Sequence, residues 1–168
     1  MRMNKIGKRY GLFFLLSALA VGLDQWTKIL AYGTLRKNGP LVLWDGVFEL
    51  LYSENRGAAF GILQGRHAFF LLVAAAVVIL VLLFLARIPS GKRYLPLFFC
   101  MVLLASGAVG NLIDRVTRGF VVDFFYFRLI DFPIFNVADC YVVIAAVCLI
   151  LLTGFVYHDD ELPGIFRK

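Results

Sequence analysis

Acids, amides and cations stand at defined spacings inside stretches that are otherwise apolar, and each group limits the chemistry open to the chain. Asp24 and Lys28 are four residues apart with the acid first, so on a helix they share a face and neutralise each other. Asn111, Asp114 and Arg115, in Gly110-Asn111-Leu112-Ile113-Asp114-Arg115, put amide, acid and guanidinium on one face of a helix end. For both groups a packing brace is the expected role, with Arg115 holding a carboxylate or a lipid phosphate. Asn136 and Asp139 open another apolar stretch just after Pro133, and Asp123 lies on the segment leading towards them. A strand-borne acid and a helix-borne acid at one depth can converge on a point. Two carboxyls that meet do not both ionise easily, and one keeps a proton at neutral pH. An aspartic protease needs that pair, the ionised acid to take a proton from water and the protonated one to polarise the scissile carbonyl. Spacing alone also allows an ion-binding or a structural pair.

Other chemistries have less to draw on. The two histidines, His67 and His158, are expected on opposite sides of a membrane, which leaves a histidine metal site without ligands. Ser106 lacks a G-x-S-x-G context and a histidine to activate it. Cys100, Cys140 and Cys148 fall in apolar runs without metal spacing and read as buried small hydrophobes.

The elements that position these groups follow from composition. Hydrophobic residues make up 61% of the 168-residue chain, charged residues 17%, and the mean hydropathy is +0.84. A soluble domain is nearer ~45–50% apolar and ~25% charged, so lipid must cover this surface. Four stretches, about 10–31, 68–86, 95–113 and 134–157, are long enough for ~30 Å of hydrocarbon at ~1.5 Å per residue. Only helices satisfy their backbone there in so short a chain, and an all-α bundle of four transmembrane helices is expected. Without a composition break or repeat, 1–168 reads as one integral membrane domain, with extracytoplasmic segments at about 32–67 and 114–133.

An Ala18-Leu19-Ala20 sequence imitates a signal-peptide cleavage site, but the apolar run continues past it and is read as the first helix. Basic residues flank the spans at Arg2, Lys5, Lys8, Arg9, at Arg87, Lys92, Arg93, and at Arg167, Lys168. They place both termini inside the cell and form no stripe for nucleic acid. Of the 11 acids, only Asp159, Asp160 and Glu161 are then inside, so any chemistry sits at the outer boundary. Trp26 and Trp44 fit the interfacial aromatic belts. Leu41–Trp44, Asp45-Gly46 and Val47–Tyr52 signal a hairpin with a type I′ turn. Gly119–Phe127 offers a further strand whose Val121, Asp123 and Phe125 would share a face. A small β-sheet over the helix ends at the outer leaflet is expected. A transporter or channel would want polar residues through the bilayer depth or broken helices at its midplane, and the second span and the third up to Ser106 have none.

The series Asp24-Gln25-Trp26-Thr27-Lys28, Asn55-Arg56-Gly57-Ala58-Ala59-Phe60, Gly110–Arg115, Val121-Val122-Asp123-Phe124 and Phe135-Asn136-Val137-Ala138-Asp139 resembles the lipoprotein signal peptidases (signal peptidase II), aspartic proteases of the bacterial inner membrane. The resemblance implies removal of signal peptides from prolipoproteins, by cleavage N-terminal to a cysteine that carries a diacylglyceryl group. It implies Asp123 and Asp139 as the catalytic dyad. The supporting polar residues would be Asp24, Lys28, Asn55, Gly57, Asn111, Asp114, Arg115 and Asn136. It further implies no metal or organic cofactor, binding of globomycin-type peptide inhibitors, and contact with membrane lipid. The chain is expected to act as a monomer with its site at the outer face. The hairpin and the Gly57–Gly61 turn are expected to clamp the substrate peptide.

Overall fold

The computed structural model describes residues 2–57 and 67–157. Four helices, α1 (Arg2–Asn38), α2 (His67–Arg87), α3 (Leu95–Arg118) and α4 (Val137–Leu151), are joined by strands β1 (Leu41–Trp44), β2 (Phe48–Asn55) and β3 (Val121–Tyr126). A π-helical turn, Leu152–Val156, continues α4. All four helices are long and apolar enough to cross a membrane. Their outward faces are apolar too, with Leu72, Leu80 and Ile150 each more than 60% exposed, as a lipid-covered surface requires. The expected fold class is thus observed: a four-helix membrane bundle carrying a small sheet. The expected turn beyond Gly57, together with His158 and the basic and acidic residues that follow it, lies outside the described residues.

The first helix starts at Arg2, ahead of the expected residue 10, and three boundaries nearer the polar layer also differ from the sequence expectation, each with a local cause. The first helix has no breaker near Ala31 and runs on to Asn38, where Gly39 closes it at φ 84° with its N–H on Leu35 O, 3.0 Å. The overhang is buried by the sheet: Ala31 and Leu35 pack against Val122 and Phe124 of β3. The third helix runs past Ile113 to Arg118 and ends at Gly119, φ 77°. Asp114 and Arg115 are therefore helical, and Arg118 falls one turn beyond Asp114. The fourth helix starts at Val137, not at residue 134. Phe135 is held in an antiparallel bridge to Phe125, and extended Asn136 is the N-cap.

The sheet is antiparallel in the order β1-β2-β3. The hairpin forms as expected, but its turn is not type I′. Gly46 alone takes positive φ, 69°, while Asp45 keeps an ordinary φ and Val47 N–H reaches Trp44 O at 3.0 Å. Positive φ only at the third turn position is the type II requirement. The irregularity between Val42 and Trp44 realigns the strands. Pairing of Ser53 with Asp123 and of Asn55 with Val121 extends β2 three residues beyond the expected Tyr52.

Two apolar clusters, one at each end, leave a polar layer between them. Phe13, Leu85, Leu97, Met101 and Ala145 form one cluster; Ala31, Leu35, Val122 and Phe124 form the other. The helices meet closely at that layer because α3 is smallest there. A Cβ on Gly107 would lie 2.6 Å from Ala138 O, and one on Gly110 2.5 Å from Asp24 Oδ2.

Candidate active site

Asp123 sits on β3 and is only 2% exposed; Asp139 is the third residue of α4. Asn136 joins them. Its side-chain Nδ2 donates to Asp123 Oδ1 at 2.6 Å, and its backbone N–H donates to Asp139 Oδ2 at 3.0 Å. Its Oδ1 in turn accepts the Asp139 N–H at 3.1 Å, which completes a capping box. The strand acid and the helix acid therefore converge as their spacing allowed. The same residue that starts the helix fixes both carboxylates.

Amides complete the surround. Asn55 Nδ2 donates to Asp123 Oδ2 at 3.0 Å, and Asn111 Nδ2 donates to Asp139 Oδ1 at 2.8 Å. Asn111 Oδ1 accepts from Asn136 Nδ2 at 3.1 Å and from Lys28 Nζ at 2.9 Å. Asn55 also turns the chain after β2, its Oδ1 accepting the Gly57 N–H at 3.0 Å. Burial, and after it the charge of Asp139, raise the Asp123 carboxyl to about 7. The hydrogen bonds from Asn55 and Asn136 oppose that rise without cancelling it.

Behind this layer lies an ionic brace. Lys28, Asp24 and Asp114 are fully buried, and Lys28 Nζ stands 2.9 Å from Asp24 and 3.2 Å from Asp114. Each acid also holds one half of the site by its backbone. Asp24 Oδ1 accepts the Ala138 N–H at 2.9 Å, next to Asp139; Asp114 Oδ2 accepts the Val122 N–H at 3.1 Å, next to Asp123. Arg118 pairs with Asp114, and Gln25 Nε2 bonds Asp24 and Asp114, each at 3.2 Å. Among the described residues, Ser17 Oγ is the single buried side-chain polar atom without a partner, so the brace is satisfied throughout.

The two aspartates border a cavity of about 580 Å³ with Asn55, Gly57, Asn111 and Arg115 along its polar part and Phe70, Phe132, Val143 and Ile144 along its apolar walls. Val121 and Asp123 face it, while Val122 and Phe124 face α1. Phe125 does not line it, because Phe124 and Phe125 both donate to Phe135 O and the alternation is broken there. Asp24, Lys28, Asp114 and Asn136 stand behind the cavity wall. Of the two partners expected for Arg115, a carboxylate or a lipid phosphate, the first is not taken. Among the described residues it holds no carboxylate: it donates to Gly57 O at 3.1 Å and to Asn111 O at 3.3 Å, and lies 4.5 Å over the Phe70 ring. Cys140 and Cys148 depart from the expected burial: both are partly exposed, and Cys140 is part of the cavity wall, whereas Cys100 is buried. Gln25, Arg118 and Phe70 were not singled out from sequence. Only Arg118 had a signal, its i, i+4 spacing from Asp114. Among the described residues no group of His, Cys, Asp and Glu is placed to hold a metal ion.

A membrane bundle with two carboxylates tied to one asparagine at the rim of an apolar cavity fits a membrane-embedded enzyme of the aspartic kind. Residues 16–155 match the family described as Signal peptidase (SPase) II. The lipoprotein signal peptidase of Clostridioides difficile (strain 630) is 41% identical over 146 residues, 86% of this chain and 95% of the relative. That of Brevibacillus brevis is 44% identical over 141 residues, 83% and 92% of the two chains. A solved structure described as a bacterial membrane enzyme superposes with a TM-score of 0.75 at 32% identity, over 85% of this chain and 87% of its own. A second gives 0.74 at 31% identity, over 88% and 95%. The chain belongs to the signal peptidase II family and is a peptidase.

Proposed function

We propose that this protein removes signal peptides from prolipoproteins, cutting on the N-terminal side of a diacylglyceryl-modified cysteine, with Asp123 and Asp139 as its catalytic pair. The observation that carries the reading is Asn136, which bonds both carboxylates at the edge of an apolar cavity. Asp123, raised to about 7, holds the dyad proton; Asp139 takes a proton from water as the water oxygen attacks the scissile carbonyl carbon. Asp123 gives its proton to the carbonyl oxygen. Collapse of the gem-diol returns that proton to Asp123 and passes the one on Asp139 to the leaving nitrogen. Asn55, Asn111 and Asn136 aim the acids, and Asp24, Lys28 and Asp114 hold the elements that carry them. Gly57 and Arg115 shape the cavity rim.

The cavity's chemistry supports such a substrate. Phe70, Val143 and Ile144 offer apolar walls to a signal-peptide helix and its acyl chains, while the polar edge admits water. The basic flanks orient the site to the outer face of the bacterial inner membrane, with both termini cytoplasmic, and the whole chain works as one domain and a monomer. The test is cleavage by the purified protein of a lipobox peptide with and without the diacylglyceryl group. Cleavage of the lipidated peptide at the bond before cysteine is expected. Equal cleavage of both peptides would remove the lipid requirement, and cleavage of neither would remove the substrate assignment.

A further inference from the structure

The end of the bundle away from the aspartates carries a separate cavity of about 330 Å³, between α1 and the turn joining α2 to α3. Lys8, Arg9 and Ser90 line it together with apolar Leu12, Leu95 and Phe98. Phe98 is buried and forms its floor, whereas Lys8 and Ser90 are exposed at its mouth. The two cations differ. Arg9 donates from Nη1 to the carbonyls of Leu85 and Ile88, and from Nη2 to Pro89 O and Ser90 Oγ. It ties α1 to the end of α2 through neutral acceptors, so no carboxylate among the described residues compensates its charge. Lys8 makes no hydrogen bond or ion pair among the described residues. The described carboxylates, Asp24 among them, all lie at the polar layer or beyond it, at the other end.

We propose that this cavity binds an anionic phospholipid, with its phosphate on Lys8 and an acyl chain along Leu12, Leu95 and Phe98. Charge complementarity selects the headgroup, since an ammonium and a guanidinium without a counter-charge among the described residues attract a net negative group. The apolar walls select a lipid over a free anion, which would leave Leu12 and Leu95 uncovered. The site owes nothing to the proteolytic chemistry at the opposite end.

Native mass spectrometry tests it on the full-length protein released from nanodiscs with equal parts of phosphatidylglycerol and phosphatidylcholine. Retained lipid should be enriched in phosphatidylglycerol, and Lys8→Gln should lower that enrichment about fivefold, the worth of one basic residue at an anionic surface. Leu12→Gln should lower it as well. Lys8 is exposed, so its variant should melt at the wild-type temperature in neutral detergent. No enrichment, or enrichment unchanged in Lys8→Gln, would overturn the proposal. Displacement by millimolar inorganic phosphate would make it a free-anion site instead. Enrichment that emerged only after Asp159, Asp160 and Glu161 were replaced by their amides would assign the cavity to the chain's own acidic segment, and would equally overturn it.

Discussion

Asp24 Oδ1 accepts the backbone N–H of Ala138 at 2.9 Å, so a carboxylate within the first helix fixes the first turn of the last one, beside Asp139. Asp114 does the same for Val122 beside Asp123, and Lys28 lies between the two acids. One buried ammonium thus aligns both halves of a site whose members are far apart in sequence.

Removing Lys28 should therefore do more damage than removing either acid. Lys28→Ala strands Asp24 without a cation and takes one from Asp114. Asp24→Ala leaves Lys28 still paired with Asp114 at 3.2 Å. Breaking a buried pair costs about 3–5 kcal/mol, so Lys28→Ala should fall at the upper end and Asp24→Ala at or below the lower. Thermal melts in detergent check the order. Full stability with abolished turnover in Asp24→Ala would move that acid from the brace into the reaction.

Much of this was legible in the sequence, because lipid imposes a coarse and strong rule. Four spans and the hairpin followed from apolar length and Asp45-Gly46, and the i, i+4 spacing paired Asp24 with Lys28. The start of α4 was misplaced because Phe135 is apolar and reads as helix, while its actual role is a β-bridge to Phe125. A carboxylate is one expected partner of Arg115 because a guanidinium next to acids looks like an ion pair. Its partners are carbonyls and a ring, which leave no mark in sequence. Recognition of both aspartates came from motif resemblance; spacing gave only their convergence.

The glycines of α3 mark the tightest tolerance. A methyl at Gly110 meets the Asp24 carboxylate at 2.5 Å and Ala138 Cβ at 3.2 Å, and one at Gly107 meets backbone Ala138 O at 2.6 Å. Gly107→Ala and Gly110→Ala should each cost about 1–3 kcal/mol, the usual penalty of overpacking. Both should also lower activity, because the displaced segment carries Asp139. Melting temperature and turnover of the two variants check this, with Gly33→Ala, which meets nothing within 4 Å, as the control.

A pH profile follows from Asp123. Its carboxyl rises from 3.8 to about 7 on folding, so the proton it needs as the acid is present below neutrality. Activity should fall as pH rises through about 7. Stability moves the same way: it is highest below the unfolded value of ~3.9, falls progressively as pH rises from there, and the loss is complete once pH passes the folded value of about 7. Melting temperature should therefore decline between about pH 4 and about pH 7 in the wild type and level off above, and that slope should flatten in Asp123→Asn. A slope unchanged by the substitution would assign the titration elsewhere.

Topology is open to reporter fusions. Fusions after Pro40, Gly91, Asp131 and Lys168 should read outside, inside, outside and inside. An outside reading at Lys168 would put the two termini on opposite faces and undo the orientation proposed for the site.

Asp123 and Asp139 are proposed to act as one unit on a scissile peptide bond. The most direct test of that unity is the turnover of a diacylglyceryl lipobox peptide by Asp123→Asn, Asp139→Asn and the double variant. Loss of a required acid or base costs about 10²–10⁴-fold, and groups that act together do not add. All three variants should be slowed by at least that factor and to a similar degree. Each should keep affinity for a globomycin-type inhibitor within about tenfold, or ~1.4 kcal/mol, of wild type. Substantial cleavage by either single variant, freed of contaminating protease, would contradict the account.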